Sequence, residues 1–93
     1  MVKVRVRYFG RLVDITGKKE EIVEVEGKTV KELIETLRRI YGDRIVKAII
    51  DKNTQSLRED VIILVDQKPI GDNLESQLLE NSKVSILPFV SGG

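Results

Sequence analysis

A chain of 93 residues with 41% hydrophobic and 33% charged residues has room for one small core and not for two, since a domain of this size buries only about 60 to 65% of its unfolded surface. It contains no cysteine and no histidine, which removes disulfides, thiolate nucleophiles, Cys/His zinc sites and any histidine general base, and leaves no expected metal site. The net charge of +1 gives no global attraction to nucleic acid, the longest apolar run (Val61 to Val65) is far too short for a bilayer, and Met1-Val2-Lys3 opens without an export signal, so a cytoplasmic protein with neither membrane nor nucleic-acid partner is expected.

Val2, Val4, Val6 and Tyr8 alternate with Lys3, Arg5 and Arg7, the period of two that marks a strand with one apolar and one charged face. By the same parity Phe9 falls on the charged face. No acid occurs before Asp14, so this first strand is locally basic. Gly10 to Gly17 is a bounded connection anchored by Leu12, Val13 and Ile15, with room for one helical turn. Lys18 to Glu26, in which Val23 and Val25 alternate with Glu24 and Glu26, predicts a second strand antiparallel to the first.

Thr29-Val30-Lys31-Glu32 has the form of a capping box, with the Thr29 hydroxyl accepting from the Glu32 amide and the Glu32 carboxylate returning to Thr29. Val30, Leu33, Ile34, Leu37 and Tyr41 then recur at helical spacing, and Gly42 is placed to end the helix in a left-handed conformation. Asp43 to Ile50 adds a short second helix. Asp51 to Asp60 is polar and aperiodic, hence a surface loop. The β-branched run Val61 to Val65 predicts a strand buried on both faces. Asp66 to Pro69 turns the chain, Leu74, Leu78 and Leu79 belong to an irregular connection, and Lys83 to Phe89 is the last strand. Its core pair is Val84 and Ile86, with Ser85, Leu87 and Phe89 on the other face. Strand, strand, helix, strand, strand makes an α+β domain with one main helix across a mixed sheet.

Three stretches resemble a known family: VRVRYFGRLVDITG near the start, REDVIILVDQKPI in the middle and NSKVSILPFVSGG at the end. They resemble the small subunit of molybdopterin synthase and related ubiquitin-like sulfur carriers. The resemblance implies a β-grasp domain over residues 1–89, followed by an exposed tail, 90–93. It departs from the family in having Phe89 where relatives often carry a second proline, and Asp66-Gln67 where they often carry an Asn-Gly-like turn.

The chain is then a carrier and not an enzyme. The Gly93 carboxylate would be adenylated by a ubiquitin-activating-type enzyme that uses ATP, and the adenylate replaced by sulfur. The large subunit would transfer that sulfur during molybdenum or tungsten pterin cofactor synthesis. The carrier itself would bind no cofactor. Val90, Ser91 and Gly92 form the threading tail, since a terminus without side chains enters a narrow site as an extended strand. Phe9, Leu87 and Phe89 form the expected partner interface. Conjugation of Gly93 to lysines of other proteins, or a plain interaction domain, are the alternatives.

Overall fold

The computed structural model describes residues 1–89. Eight elements follow in the order β1 (Val2–Tyr8), α1 (Arg11–Thr16), β2 (Glu20–Val25), α2 (Val30–Tyr41), α3 (Asp43–Ile49), β3 (Val61–Val65), β4 (Lys68–Pro69) and β5 (Lys83–Pro88). The strands form one mixed sheet in the order β2-β1-β5-β3-β4. Chain ends meet in its middle: β1 runs parallel to β5, while β2 lies antiparallel to β1 and β3 antiparallel to β5. This is the β-grasp arrangement, and its parallel central pair requires the long crossover that the helices provide.

Alternation in β1 puts Val4, Val6 and Tyr8 on the helix side, where they meet Val23 and Val25 of β2 and Val84 and Ile86 of β5. The α2 stripe closes over them, with Val30, Leu33 and Leu37 fully buried and Ile34 nearly so. Leu37→Ala removes a side chain with no solvent exposure from this layer. It is expected to cost about 2 to 5 kcal/mol, read as a lower denaturant midpoint at unchanged slope.

The capping box forms with one difference from expectation. Thr29 Oγ1 accepts from the Glu32 amide at 3.2 Å, but the nearest donors to the Glu32 carboxylate are the Lys28 amide at 3.0 Å and the Thr29 hydroxyl at 3.1 Å. The carboxylate thus returns to Thr29 through the hydroxyl and reaches one residue further back to the Lys28 amide as well. The Lys28 amide and the Thr29 hydroxyl hold Glu32 below its ordinary pKa. Gly42 ends the helix at φ 87°, ψ −173°, outside the left-handed helical well though still at a positive φ that favours glycine. There it serves at once as the last cap of α2 and the first of α3.

Two expectations are corrected. Val61–Val65 is not buried on both faces: Val61 and Ile63 enter the core, whereas Ile62 on the opposite face is 44% exposed and Leu64 is half-buried. Only one face of the sheet is covered by helices, so a continuous apolar run leaves half its side chains outside. The segment after β3 also does more than turn. Asp66 and Gln67 both take positive φ, 50° and 72°, and return the chain as β4, with Val65 opposite Lys68 and Leu64 opposite Pro69. The Asp66 carboxylate steadies the turn by accepting from the Lys83 amide at 2.9 Å and the Ser82 hydroxyl at 3.1 Å.

One polar cluster ties α2 to the sheet. The Tyr8 and Tyr41 hydroxyls both donate to Glu21, the rings meeting edge to face with centroids 6.4 Å apart, and Lys18 Nζ lies 3.0 Å from the same carboxylate. Burial alone would raise the Glu21 carboxyl, but the donors Tyr41, Tyr8 and Lys18 bring it below its ordinary value of 4.5. A carboxylate held low contributes stability that is fully present above its unfolded pKa and lost as pH falls through the folded one. Glu21→Gln is therefore expected to lower stability at neutral pH and to flatten its decline below about pH 4.5. Urea unfolding across a pH series measures this, and parallel profiles for the two chains would refute it.

Candidate functional site

Because β1 and β5 are parallel, with Val6 beside Val84 and Tyr8 beside Ile86, the two strands finish at the same end of the sheet. Phe9-Gly10 therefore sits next to Pro88. Gly10 has φ 56°, and a Cβ on it would lie 3.2 Å from Pro88 Cγ, so the turn after β1 and the end of β5 pack without a side chain between them. On the other flank the Phe89 amide donates to the Asp60 carbonyl at 2.9 Å. Asp60 is itself anchored, its carboxylate accepting from Arg58 at 2.9 and 3.1 Å with Arg11 at 3.7 Å. The Arg58 guanidinium holds the Asp60 carboxyl below its usual range. The chain is thus gripped from both sides at Pro88 and Phe89. Val90, Ser91, Gly92 and Gly93 lie outside the described residues.

The expected interface residues are brought together at this end. Phe89 is 43% exposed, and Leu87 and Phe9 are half-buried. Phe9 carries a cover that strand parity does not reveal: the Arg7 guanidinium stands 5.5 Å from its ring centroid. Leu87 faces Ile62 directly across β5 and β3, and Leu64 faces Ser85 on one side and Pro69 on the other. The exposed apolar surface therefore runs from Phe9 and Phe89 through Leu87 to Ile62 and Leu64. Ile62 and Leu64 were missed by sequence reasoning. The signal that locates them is the same apolar run, once only one sheet face is allotted to helices.

An open cleft of about 430 Å³ adjoins this surface, bounded by Phe9, Gly10, Val13 and Lys19 between the ends of β1 and α1 and the start of β2. Among the described residues no group of three or more acidic, histidine or cysteine side chains is arranged to hold a metal ion, and no helix is long and apolar enough to cross a membrane. What the geometry provides is an anchored segment at Pro88 and Phe89, set beside an apolar sheet face.

The sequence profile of the ThiS family matches residues 6–93. The chain belongs to the ThiS family. The resemblance to ubiquitin-like sulfur carriers carried by the three stretches is borne out over nearly the whole chain. The chain is 30% identical over 93 residues to the molybdopterin synthase sulfur carrier subunit of Caenorhabditis briggsae, covering 100% of both chains. The small archaeal modifier protein 1 (SAMP1) of Methanosarcina acetivorans superposes with a TM-score of 0.78 at 26% identity, covering 100% of this chain and 98% of that one. A chain of the Amycolatopsis orientalis BexX/CysO complex does so with a TM-score of 0.77 at 25% identity, covering 97% and 99%.

Proposed function

We propose that this ThiS-family chain is the sulfur-carrying small subunit of molybdopterin synthase. The observation that carries the reading is the end-to-end 30% identity with a molybdopterin synthase sulfur carrier subunit. It is supported by a last strand that delivers the tail root to the rim of an exposed apolar face. Gly93 is the reacting residue. Its carboxylate oxygen attacks the α-phosphorus of ATP on an adenylating enzyme and expels pyrophosphate. A sulfide-level nucleophile then adds at the acyl carbon, AMP departs, and a thiocarboxylate remains. The large subunit uses that sulfur to build the pterin cofactor of a molybdenum or tungsten enzyme. The chain supplies no catalytic side chain, and the whole cycle runs in the cytoplasm.

The residues in hand explain why such a carrier needs a docking face. A carboxylate is a poor acyl donor, so all the chemistry happens inside partners, and Val90, Ser91 and Gly92 must thread into each of them. Phe9, Leu87 and Phe89, joined by Ile62 and Leu64, hold the partner while this occurs. A second reading has its own support in the similarity to SAMP1 of Methanosarcina acetivorans: transfer of the activated Gly93 to lysines of other proteins. The two are separated by mixing the thiocarboxylated chain with the large subunit and a pterin precursor. Consumption of the thiocarboxylate with formation of a sulfur-bearing pterin is expected. A thiocarboxylate that survives, together with isopeptide-linked remnants of this chain's C-terminus on lysines of cellular proteins, would favour the modifier.

A further inference from the structure

The two edges of the sheet differ. β4, at one of them, is two residues long and contains Pro69, so it offers little for another strand to pair with. β2, at the other, runs for six residues without glycine or proline. Its ladder with β1 fixes which of its backbone groups are spare. The Tyr8 amide donates to the Lys19 carbonyl at 2.8 Å, whereas the Arg5 amide turns the other way and donates to the Ser82 carbonyl at 2.9 Å. The even-numbered residues of β1 therefore bond to the odd-numbered residues of β2, and Glu20, Ile22 and Glu24 point their amides and carbonyls away from the sheet. None of these groups has a hydrogen-bond partner among the described residues. The opening ends at Glu26, whose amide donates to Thr36 Oγ1 of α2 at 3.4 Å.

The side chains of the same three residues decide what can be added. All are exposed, Ile22 at 64%. On the β1 side the two carboxylates already have cations: Arg7 is opposite Glu20 and Lys3 opposite Glu24, with Arg5 at 3.8 Å from Glu20. A residue in an edge strand has a second cross-strand position, and here it is open at all three. A second copy of β2 fits it badly. Two-fold antiparallel pairing about Ile22, the register that covers the whole opening, sets Glu20 of each copy opposite Glu24 of the other, and like charges so placed repel. β1 shows what these carboxylates accept, a cation opposite each at the same spacing.

We propose that the β2 edge takes up an extended segment of another protein as an added antiparallel strand, with Lys or Arg opposite Glu20 and Glu24 and an aliphatic residue opposite Ile22. Main-chain hydrogen bonds hold the segment, and the two carboxylates select its sequence. β1 separates this edge from the strands that carry Leu87 and Ile62, and the site is independent of the carrier reading.

The probe is a capped peptide with the core Lys-Thr-Ile-Thr-Lys, titrated into the full chain at low salt and followed by amide hydrogen exchange. New protection of the Glu20, Ile22 and Glu24 amides is expected, with the Glu21 and Val23 amides unchanged. Glu20→Gln combined with Glu24→Gln should weaken binding about 2- to 30-fold, a difference that shrinks as salt rises. Ile22→Pro removes the central spare donor, which β1 does not use, and should abolish the protection at Glu20 and Glu24. Thermal unfolding is followed for each variant. Should Ile22→Pro fail to fold, the glutamine pair and a control peptide with the core Glu-Thr-Ile-Thr-Glu, expected to bind more weakly by about tenfold or more, still discriminate. A lysine peptide that protects none of the three amides at about 1 mM overturns the inference, as does equal binding of the two peptides. Protection that needs no peptide and rises with protein concentration would assign the edge to a second copy and overturn it too.

Discussion

Deleting Gly93 is expected to reduce adenylation at least about a hundredfold while leaving the unfolding midpoint where it was. The new terminal carboxylate, on Gly92, would stop short of the reactive position by one residue, about 3.3 to 3.6 Å of extended chain, and a misplacement of 1 Å can already cost about a hundredfold in rate. Stability should not follow, because the last contact described between tail root and domain is the Phe89 amide on Asp60, four positions earlier. Pyrophosphate release with ATP and the adenylating enzyme measures the first effect, and thermal unfolding the second. Adenylation at the wild-type rate by the truncated chain would refute Gly93 as the reacting residue.

The second large effect is expected from Ile62→Ser combined with Leu87→Ser. Ordering a four-residue tail on a partner costs about 4 to 8 kcal/mol, so the tail alone binds weakly and the sheet face has to supply the difference. Full burial of an aliphatic side chain contributes about 1.5 to 3 kcal/mol. Ile62 is 44% exposed and Leu87 half-buried, so each has roughly half of that still to gain, about 0.7 to 1.5 kcal/mol. Together they predict an affinity loss of about 10- to 150-fold for either partner. The pair is a cleaner probe than Phe9, whose ring also packs against the Arg7 guanidinium. The unfolding midpoint should move far less than for Leu37→Ala. Affinity within a factor of about two of the wild type, read by titration calorimetry, would take the patch out of the account.

The elements read most directly from sequence are those in which one local pattern decides. The Thr29 capping box and the Val30 to Leu37 stripe specify α2, and strict alternation specifies β1, in agreement with the observed burial. The strand Val61–Val65 shows where local pattern stops deciding. Five apolar residues in a row are equally compatible with a strand covered on both sides and with one that leaves Ile62 and Leu64 open for a partner. The choice depends on where the helices pack, which is tertiary information. β4 escaped notice because a two-residue edge strand with a proline has no periodicity to detect. Within the site, parity placed Leu87 and Phe89 correctly on the face opposite Val84 and Ile86. It gave no indication that Arg7 covers Phe9, that Ile62 is the cross-strand neighbour of Leu87, or that Asp60 holds the amide of Phe89. The last two contacts join residues far apart in the chain, and the first depends on a side-chain conformation that parity does not fix.

The claim on which everything else depends is that Gly93 carries sulfur. Intact-mass and C-terminal peptide mass spectrometry on the protein taken from its native cell, or after incubation with the adenylating enzyme, ATP and a sulfide donor, addresses it directly. The account predicts a fraction in which one oxygen of the Gly93 carboxylate is replaced by sulfur, absent when ATP is withheld and absent from the chain lacking Gly93. A terminus that stays an ordinary carboxylate in the cell and under full reconstitution, with an enzyme shown to adenylate another carrier, would contradict it.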